Sequence, residues 1–172
     1  MTRRQVADMV RDKNPVTLSE TATVMEACRR MRNRKVGAVL VVDRHHRLTG
    51  IFTGRDAVAR VLADGRDPRS TTLLDVMTPN PCAITPDVTA IEALREMDGR
   101  GFRHLPVAQD GKILSVISRG DFRGAEVEQL DEETGIWLKA RPDTIPTDSL
   151  DFADLKTTRS VAPHDIARSI AE

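Results

Sequence analysis

Aromatic side chains are nearly absent: the 172 residues contain no tyrosine, one tryptophan and four phenylalanines. Proteins that hold unpaired bases use such rings as stacking platforms, so single-stranded nucleic acid is a poor fit. An excess of either charge is also missing. Lys plus Arg number 26 and Asp plus Glu 26, giving a formal net charge of zero, whereas nucleic-acid binders carry a basic surplus. No apolar run approaches the roughly 20 residues of a membrane span. The first residues, Met1-Thr2-Arg3-Arg4-Gln5, hold no apolar signal core. The expectation is a cytoplasmic chain with neither nucleic acid nor membrane as partner. Cys28 and Cys82 fall in apolar-periodic segments without metal-ligand spacing, and read as buried free thiols. No P-loop, Ser-His-Asp set or paired acid and base is visible, so no enzyme is expected.

What is present is a duplication. Asn14-Pro15-Val16-Thr17-Leu18 recurs as Asn80-Pro81-Cys82-Ala83-Ile84. The register continues through Thr23/Thr89, Glu26/Glu92, Ala27/Ala93, Arg29/Arg95 and Met31/Met97. Upstream, Val6-Ala7-Asp8-Met9-Val10 echoes Leu73-Leu74-Asp75-Val76-Met77, and downstream Gly50 to Asp56 echoes Ser115 to Asp121. A unit of about 65 residues therefore occurs twice.

Each unit reads as β-α-β-β-α, an α+β pattern. A short extended stretch (Val16 to Leu18; Cys82 to Ile84) leads to a helix whose Thr23/Glu26 or Thr89/Glu92 pair fits a capping box. Apolar residues at Val24, Ala27, Cys28 and Met31, and at Ala90, Ala93, Leu94 and Met97, form a helical stripe. Val36 to Val42 is nearly all apolar, as a doubly buried strand would be, and Phe102 to Ala108 is its counterpart. A polar turn follows in each, then a second strand (Leu48 to Phe52; Ile113 to Ile117) and a second helix opening near Thr53 or Ser118. Asp64 to Thr72, with Gly65 and Pro68, reads as the linker. One unit alone buries little surface, so the two are expected to share a core.

Two heptapeptides carry the candidate chemistry: Gly50-Ile51-Phe52-Thr53-Gly54-Arg55-Asp56 and Ser115-Val116-Ile117-Ser118-Arg119-Gly120-Asp121. Each is a strand end, a hydroxyl residue, a Gly and an Arg, then an acid opening a helix. Such a turn suits a phosphorylated nucleoside. Helix-start amides, the hydroxyl of Thr53 or Ser118 and the guanidinium of Arg55 or Arg119 would meet phosphate, and Asp56 or Asp121 would accept from ribose hydroxyls. The same residues also fit a plain helix start, with a hydroxyl cap and an acid at the third position. The turn of His45 and His46 lacks further metal ligands and reads as solvated. The methionines read as core.

The repeat, its spacing, both heptapeptides, the Asp75 to Pro81 stretch and Val36 to Asp43 together resemble CBS (cystathionine β-synthase) domains over roughly residues 6–125. The resemblance implies a pseudo-twofold pair, with repeats over 1–68 and 69–125 and a partly helical, partly flexible extension over 126–172. It implies an adenine-nucleotide ligand (AMP, ADP or ATP, with S-adenosylmethionine as a variant) in the central cleft, and no metal or catalytic cofactor. It assigns ribose to Asp56 and Asp121 and phosphate to Thr53 and Ser118. The pocket walls would be Val36, Gly37 and Ala38 from one repeat and Phe102, Arg103 and His104 from the other, with Pro106 where repeat one has Leu40. Ser115, replacing the family glycine, would add bulk beside the pocket. A homodimer signalling to an unidentified target protein completes the expectation. The rivals are an adaptor whose clefts bind nothing and a hydrolase hidden in the tail. Trp137 is either a plug over the core or a partner contact. Phe122 to Glu133 would extend the second helix, residues 141–160 look flexible, and Pro163 through Ala171 suits a short helix.

Overall fold

The computed structural model describes residues 4–10 and 14–134. A first compact unit ends at Asp121, and a second begins at Phe122. The elements of the first are α1 (Val6–Val10), β1 (Thr17–Ser19), α2 (Val24–Arg34), β2 (Ala38–Val42), β3 (Leu48–Thr53), α3 (Gly54–Asp56), α4 (Leu73–Val76), β4 (Thr78–Pro79), α5 (Ala90–Arg100), β5 (His104–Gln109) and β6 (Lys112–Ser118). In the second unit α6 covers Gly124–Thr134.

Helix starts follow the sequence closely. Thr23 caps α2 by accepting from the Glu26 amide, and Thr89 with Glu92 closes a full capping box on α5. Both helices end on a left-handed residue, Lys35 (φ 52°) and Gly101 (φ 68°), whose amides return to carbonyls of the last turn. β2 is buried throughout. It pairs in parallel with β1 and antiparallel with β3, and β4 closes the other edge of β3.

The two repeats differ where proline intervenes. In repeat one Leu40 donates its amide to the Val16 carbonyl at 2.9 Å, completing β1. Pro106, at the matching place, has no amide hydrogen to give. The corresponding stretch of repeat two is therefore only an isolated bridge, Ile84 to Val107, beside a two-stranded sheet of β5 and β6.

The repeats exchange their leading helices through matched backbone bonds. From α1, Val6 donates to Val88 (2.9 Å) and Ala7 to Pro86 (2.8 Å), while Ala90 donates back to Arg4 (2.8 Å). From α4, Leu73 donates to Ala22 (2.9 Å) and Leu74 to Glu20 (3.0 Å), while Val24 donates back to Thr71 (3.0 Å). Thus Leu73, Val76 and Met77 complete repeat one's core with Leu18, Val24, Ala27, Met31, Val39, Val41 and Phe52. The opposite face of repeat one, Ala38, Leu40 and Ile51, packs on Ile113 and Val116 of repeat two.

Several expectations change. The strand expected from Val36 starts at Ala38, leaving Val36 and Gly37 exposed. The stretch after Thr53 is helical, but α3 passes into a wider π-type turn at Ala57–Leu62. After Ser118 there is only a single 3₁₀ turn, Arg119–Asp121, and α6 is a fresh helix starting at Gly124. The linker is not loose: Asp67 organises a turn, and the Pro68 carbonyl accepts from Met25 at 2.9 Å, satisfying α2's first turn. Both cysteines are free but only half-buried. Ser115 is buried (1% exposed) on the strand face opposite Val116, away from the inter-repeat cleft, which corrects its placement beside the pocket. Trp137 and the segments at 141–160 and 163–171 lie outside the described residues.

Gly50 shows why the first heptapeptide opens on glycine. A Cβ there would stand 2.2 Å from the Met77 sulfur, so the exchanged helix needs bare backbone beneath it. Gly50→Ala is expected to lower stability by about 1–3 kcal/mol in urea melts. The loss should be smaller when measured in a Met77→Ala background. Equal losses in both backgrounds would show that the Met77 contact is not the cause.

Candidate functional site

β3 delivers Thr53 to the start of α3. The Asp56 carboxylate turns back on this start, where Oδ2 accepts from the Thr53 amide (2.9 Å) and hydroxyl (2.7 Å). Gly54 donates its amide to the Gly37 carbonyl at 3.1 Å, fastening the turn to the loop that enters β2. Gly37, Gly54 and Arg55 are exposed, while Thr53 and Asp56 are half-buried. Ala38 is buried at the head of β2 and pairs with Thr53.

The second repeat rebuilds this arrangement. Asp121 Oδ2 accepts from the Ser118 amide (2.7 Å) and hydroxyl (3.0 Å). Arg119 donates its amide to the Arg103 carbonyl at 3.3 Å, as Gly54 does to Gly37. His104 pairs with Ser118 as Ala38 does with Thr53. The Arg119 guanidinium donates to the Asp98 carboxylate near the end of α5. Arg103 is exposed, Phe102 half-buried, and Pro106 buried on the same face of β5 as His104. In both repeats the hydroxyl hydrogen goes to the neighbouring acid; Thr53 also accepts from the Asp56 amide at 3.4 Å and so caps α3, whereas Ser118 opens only the 3₁₀ turn. A phosphate contact would use the hydroxyls only after they turn away from the acids.

The walls assigned to the two repeats meet across the cleft. A Cβ on Gly37 would come within 2.8 Å of His104 Nε2. The imidazole thus occupies the space that glycine leaves open. Burial pushes the His104 pKa below the ordinary imidazole range, and the positive charge of Arg103 adds to this, against a weaker opposing pull from Asp121. His104 is therefore a neutral wedge between repeats at neutral pH.

Arg60 escaped the sequence reading. Its Nε stands 3.4 Å from Asp56 Oδ1, and its Nη1 donates to the Val76 (3.0 Å) and Met77 (2.8 Å) carbonyls. The i, i+4 spacing from Asp56 was a readable signal for the ion pair. At the other ends of β2 and β3, Asp43 accepts from the His45 and Arg47 amides (2.8 and 3.0 Å). These bonds, chiefly that of the Arg47 backbone, hold its pKa down to about 2. His45 and His46 are exposed in that turn. A shallow, open depression of about 330 Å³ lies there, lined by Ser19, Glu20, Thr21, Val42, Asp43 and Arg44 among others, and none of the expected site residues borders it. Among the described residues no group of three or more His, Cys, Asp or Glu could hold a metal ion. Likewise, no described helix is long and apolar enough to cross a membrane.

The strands, the exchanged helix and the acid-capped turn of one repeat recur in the other and define a paired-repeat α+β fold. The CBS domain model matches residues 6–63 and 73–128, and the chain belongs to the CBS domain family. A CBS domain-containing protein of Arabidopsis thaliana is 45% identical over 102 residues, which are 59% of this chain but only 19% of that relative. The chain thus spans about a fifth of the length of that curated relative. The crystal structure of a CBS-domain containing protein from Agrobacterium tumefaciens is 30% identical, with a TM-score of 0.65 over 74% of this chain and 93% of that one. A CBS domain protein of Pyrobaculum aerophilum, solved in complex with AMP, shares the fold with a TM-score of 0.66 at 22% identity, over 74% of this chain and 98% of that one.

The wedge carries a sign. The His104 pKa is lowered in the folded chain, so the unfolded chain binds the proton first and acid favours unfolding. The stabilisation is complete above the unfolded imidazole value of about 6.5 and fades as pH falls through the lower folded value. Thermal melts between about pH 7.5 and about pH 5 should therefore lose stability faster for the native chain than for His104→Gln. Identical slopes for the two chains would contradict the buried, neutral placement.

Proposed function

We propose that the chain is a cytoplasmic ligand sensor and not an enzyme, taking an adenine nucleotide or another adenosyl ligand into the cleft between its two repeats. Its organisation would be repeat one over 1–68, repeat two over 69–125 and an extension over 126–172. One observation carries the reading. The same carboxylate-capped turn is built twice, at Thr53–Asp56 and Ser118–Asp121, and each is bonded to the loop of its own repeat that borders the cleft. A plain helix cap accounts for either copy alone. Repetition at both cleft mouths, in a fold that also accommodates AMP in the Pyrobaculum protein, favours a shared ligand chemistry.

Val36, Gly37 and Ala38 with Thr53, Arg55 and Asp56 would serve one site. Phe102, Arg103, His104 and Pro106 with Ser118, Arg119 and Asp121 would serve the other. Arg55 is exposed and suits an incoming phosphate, whereas Arg119 is already held by Asp98. Ligand entry at the Gly37 side requires the His104 ring to move, so binding and the contact between repeats are linked. The readout would pass to a separate target protein.

A ligand at about 100 times its Kd adds about 2.7 kcal/mol to the folded state. A melting screen of AMP, ADP, ATP, S-adenosylmethionine and GTP should therefore show a rise of roughly 5–10 °C for an adenosyl ligand. Asp56→Ala or Asp121→Ala should remove the rise, depending on which site is filled. A shift that survives in the double variant would overturn the ribose assignment. The adaptor reading has its own support in the closed Gly37–His104 contact, and it expects no shift with any nucleotide.

The same reading includes a homodimer. Val58, Leu62 and Leu74 are 58%, 75% and 56% exposed, an apolar set that a second copy would cover. Leu62→Glu should convert a dimer to a monomer in light scattering, and a native chain that is itself monomeric would refute the dimer.

A further inference from the structure

We infer that Arg60 is a positioning residue that couples the Asp56 carboxylate to the seating of α4, a role that rests on the nucleotide reading only for its ligand consequence. Asp56 divides its oxygens. Oδ2 holds the Thr53 turn at 2.9 and 2.7 Å, and Oδ1 faces Arg60 Nε at 3.4 Å. The same guanidinium reaches beyond repeat one, where Nη1 donates to the Val76 and Met77 carbonyls at 3.0 and 2.8 Å. These carbonyls close the exchanged helix, whose last turn leaves them without helical partners. A planar fork presents separate nitrogens to the acid and to the carbonyls in a fixed geometry, which the single nitrogen of an ammonium does not.

The segment held in this way is not a passive surface. Val76 and Met77 sit in repeat one's core, and the chain then runs directly into β4 on the edge of β3. Anything that draws Asp56 towards a ligand therefore pulls on the group that clamps the entry into repeat two. Repeat two is built differently: four residues beyond Asp121 stands Ala125, and the arginine that reaches Asp121 is Arg4, just before α1, whose guanidinium donates to the Asp121 carbonyl at 2.9 Å. The Arg60 link makes α4 the first responder to a change at Asp56.

Hydrogen exchange reads the link without any ligand. The Met77 amide donates to Leu73 at 2.8 Å and the Asn80 amide to Thr49 at 2.9 Å, and both report on α4 and β4. Arg60→Ala and Asp56→Asn should each speed exchange at these amides about tenfold, the double variant no more than either single one, and Asp121→Asn not at all. Arg60→Lys keeps the charge and should restore only part of the protection. In AMP titrations Arg60→Ala should weaken binding about tenfold, and Arg60→Lys should weaken it less. Unchanged exchange in Asp56→Asn, or effects of Arg60 and Asp56 that simply add, would overturn the coupling. Failure of the native chain to bind AMP, ATP or S-adenosylmethionine would instead remove the nucleotide reading, while the exchange pattern alone still decides the role of Arg60.

Discussion

Each repeat borrows a helix from the other, and that exchange governs the rest of the structure. A three-stranded βαβ layer with one helix cannot cover its own apolar face. Repeat one closes its core with Leu73, Val76 and Met77, which arrive from the beginning of repeat two. Three pairs of equivalent backbone bonds fix the exchange in both directions. Buried amides and carbonyls at these helix starts would otherwise stand unsatisfied, at a cost of about 1–3 kcal/mol each. Neither half is complete alone, and the two repeats therefore fold as one cooperative body.

The cleft inherits its chemistry from the same symmetry. Both second strands end in a hydroxyl residue and an acid that bond one another, and both following turns are tied back to the loop before the first strand. Sequence drift has since made the two sides unlike. At the strand head one repeat has Ala38 where the other has His104, and just before it one has Gly37 where the other has Arg103. His104 fills the room above Gly37, and Arg60, which pairs with Asp56, is matched by Ala125 in repeat two.

Much of this was legible in the residues. The capping pairs at Thr23 and Thr89 located α2 and α5, because a side-chain cap is a local interaction. The unbroken apolar run in β2 announced its burial. The helix exchange was not legible. Val6 to Val10 and Leu73 to Val76 have the same pattern, and nothing in such a pattern says which copy of the core receives it. The Gly37–His104 and Arg60–Val76 contacts join positions far apart in sequence, so only the assembled fold reveals them. The interruption after Ser118 had a local signal in Gly120 and Gly124, both poor helix formers, whereas the π-type turn after Asp56 had none.

The account turns on whether the cleft opens for adenosine at the Asp56 side. A crystal structure of the chain saturated with AMP addresses this directly. The ribose should lie against Asp56, with the His104 ring swung off Gly37 and the phosphate near Arg55. Nucleotide bound elsewhere while His104 still rests on Gly37 would contradict it.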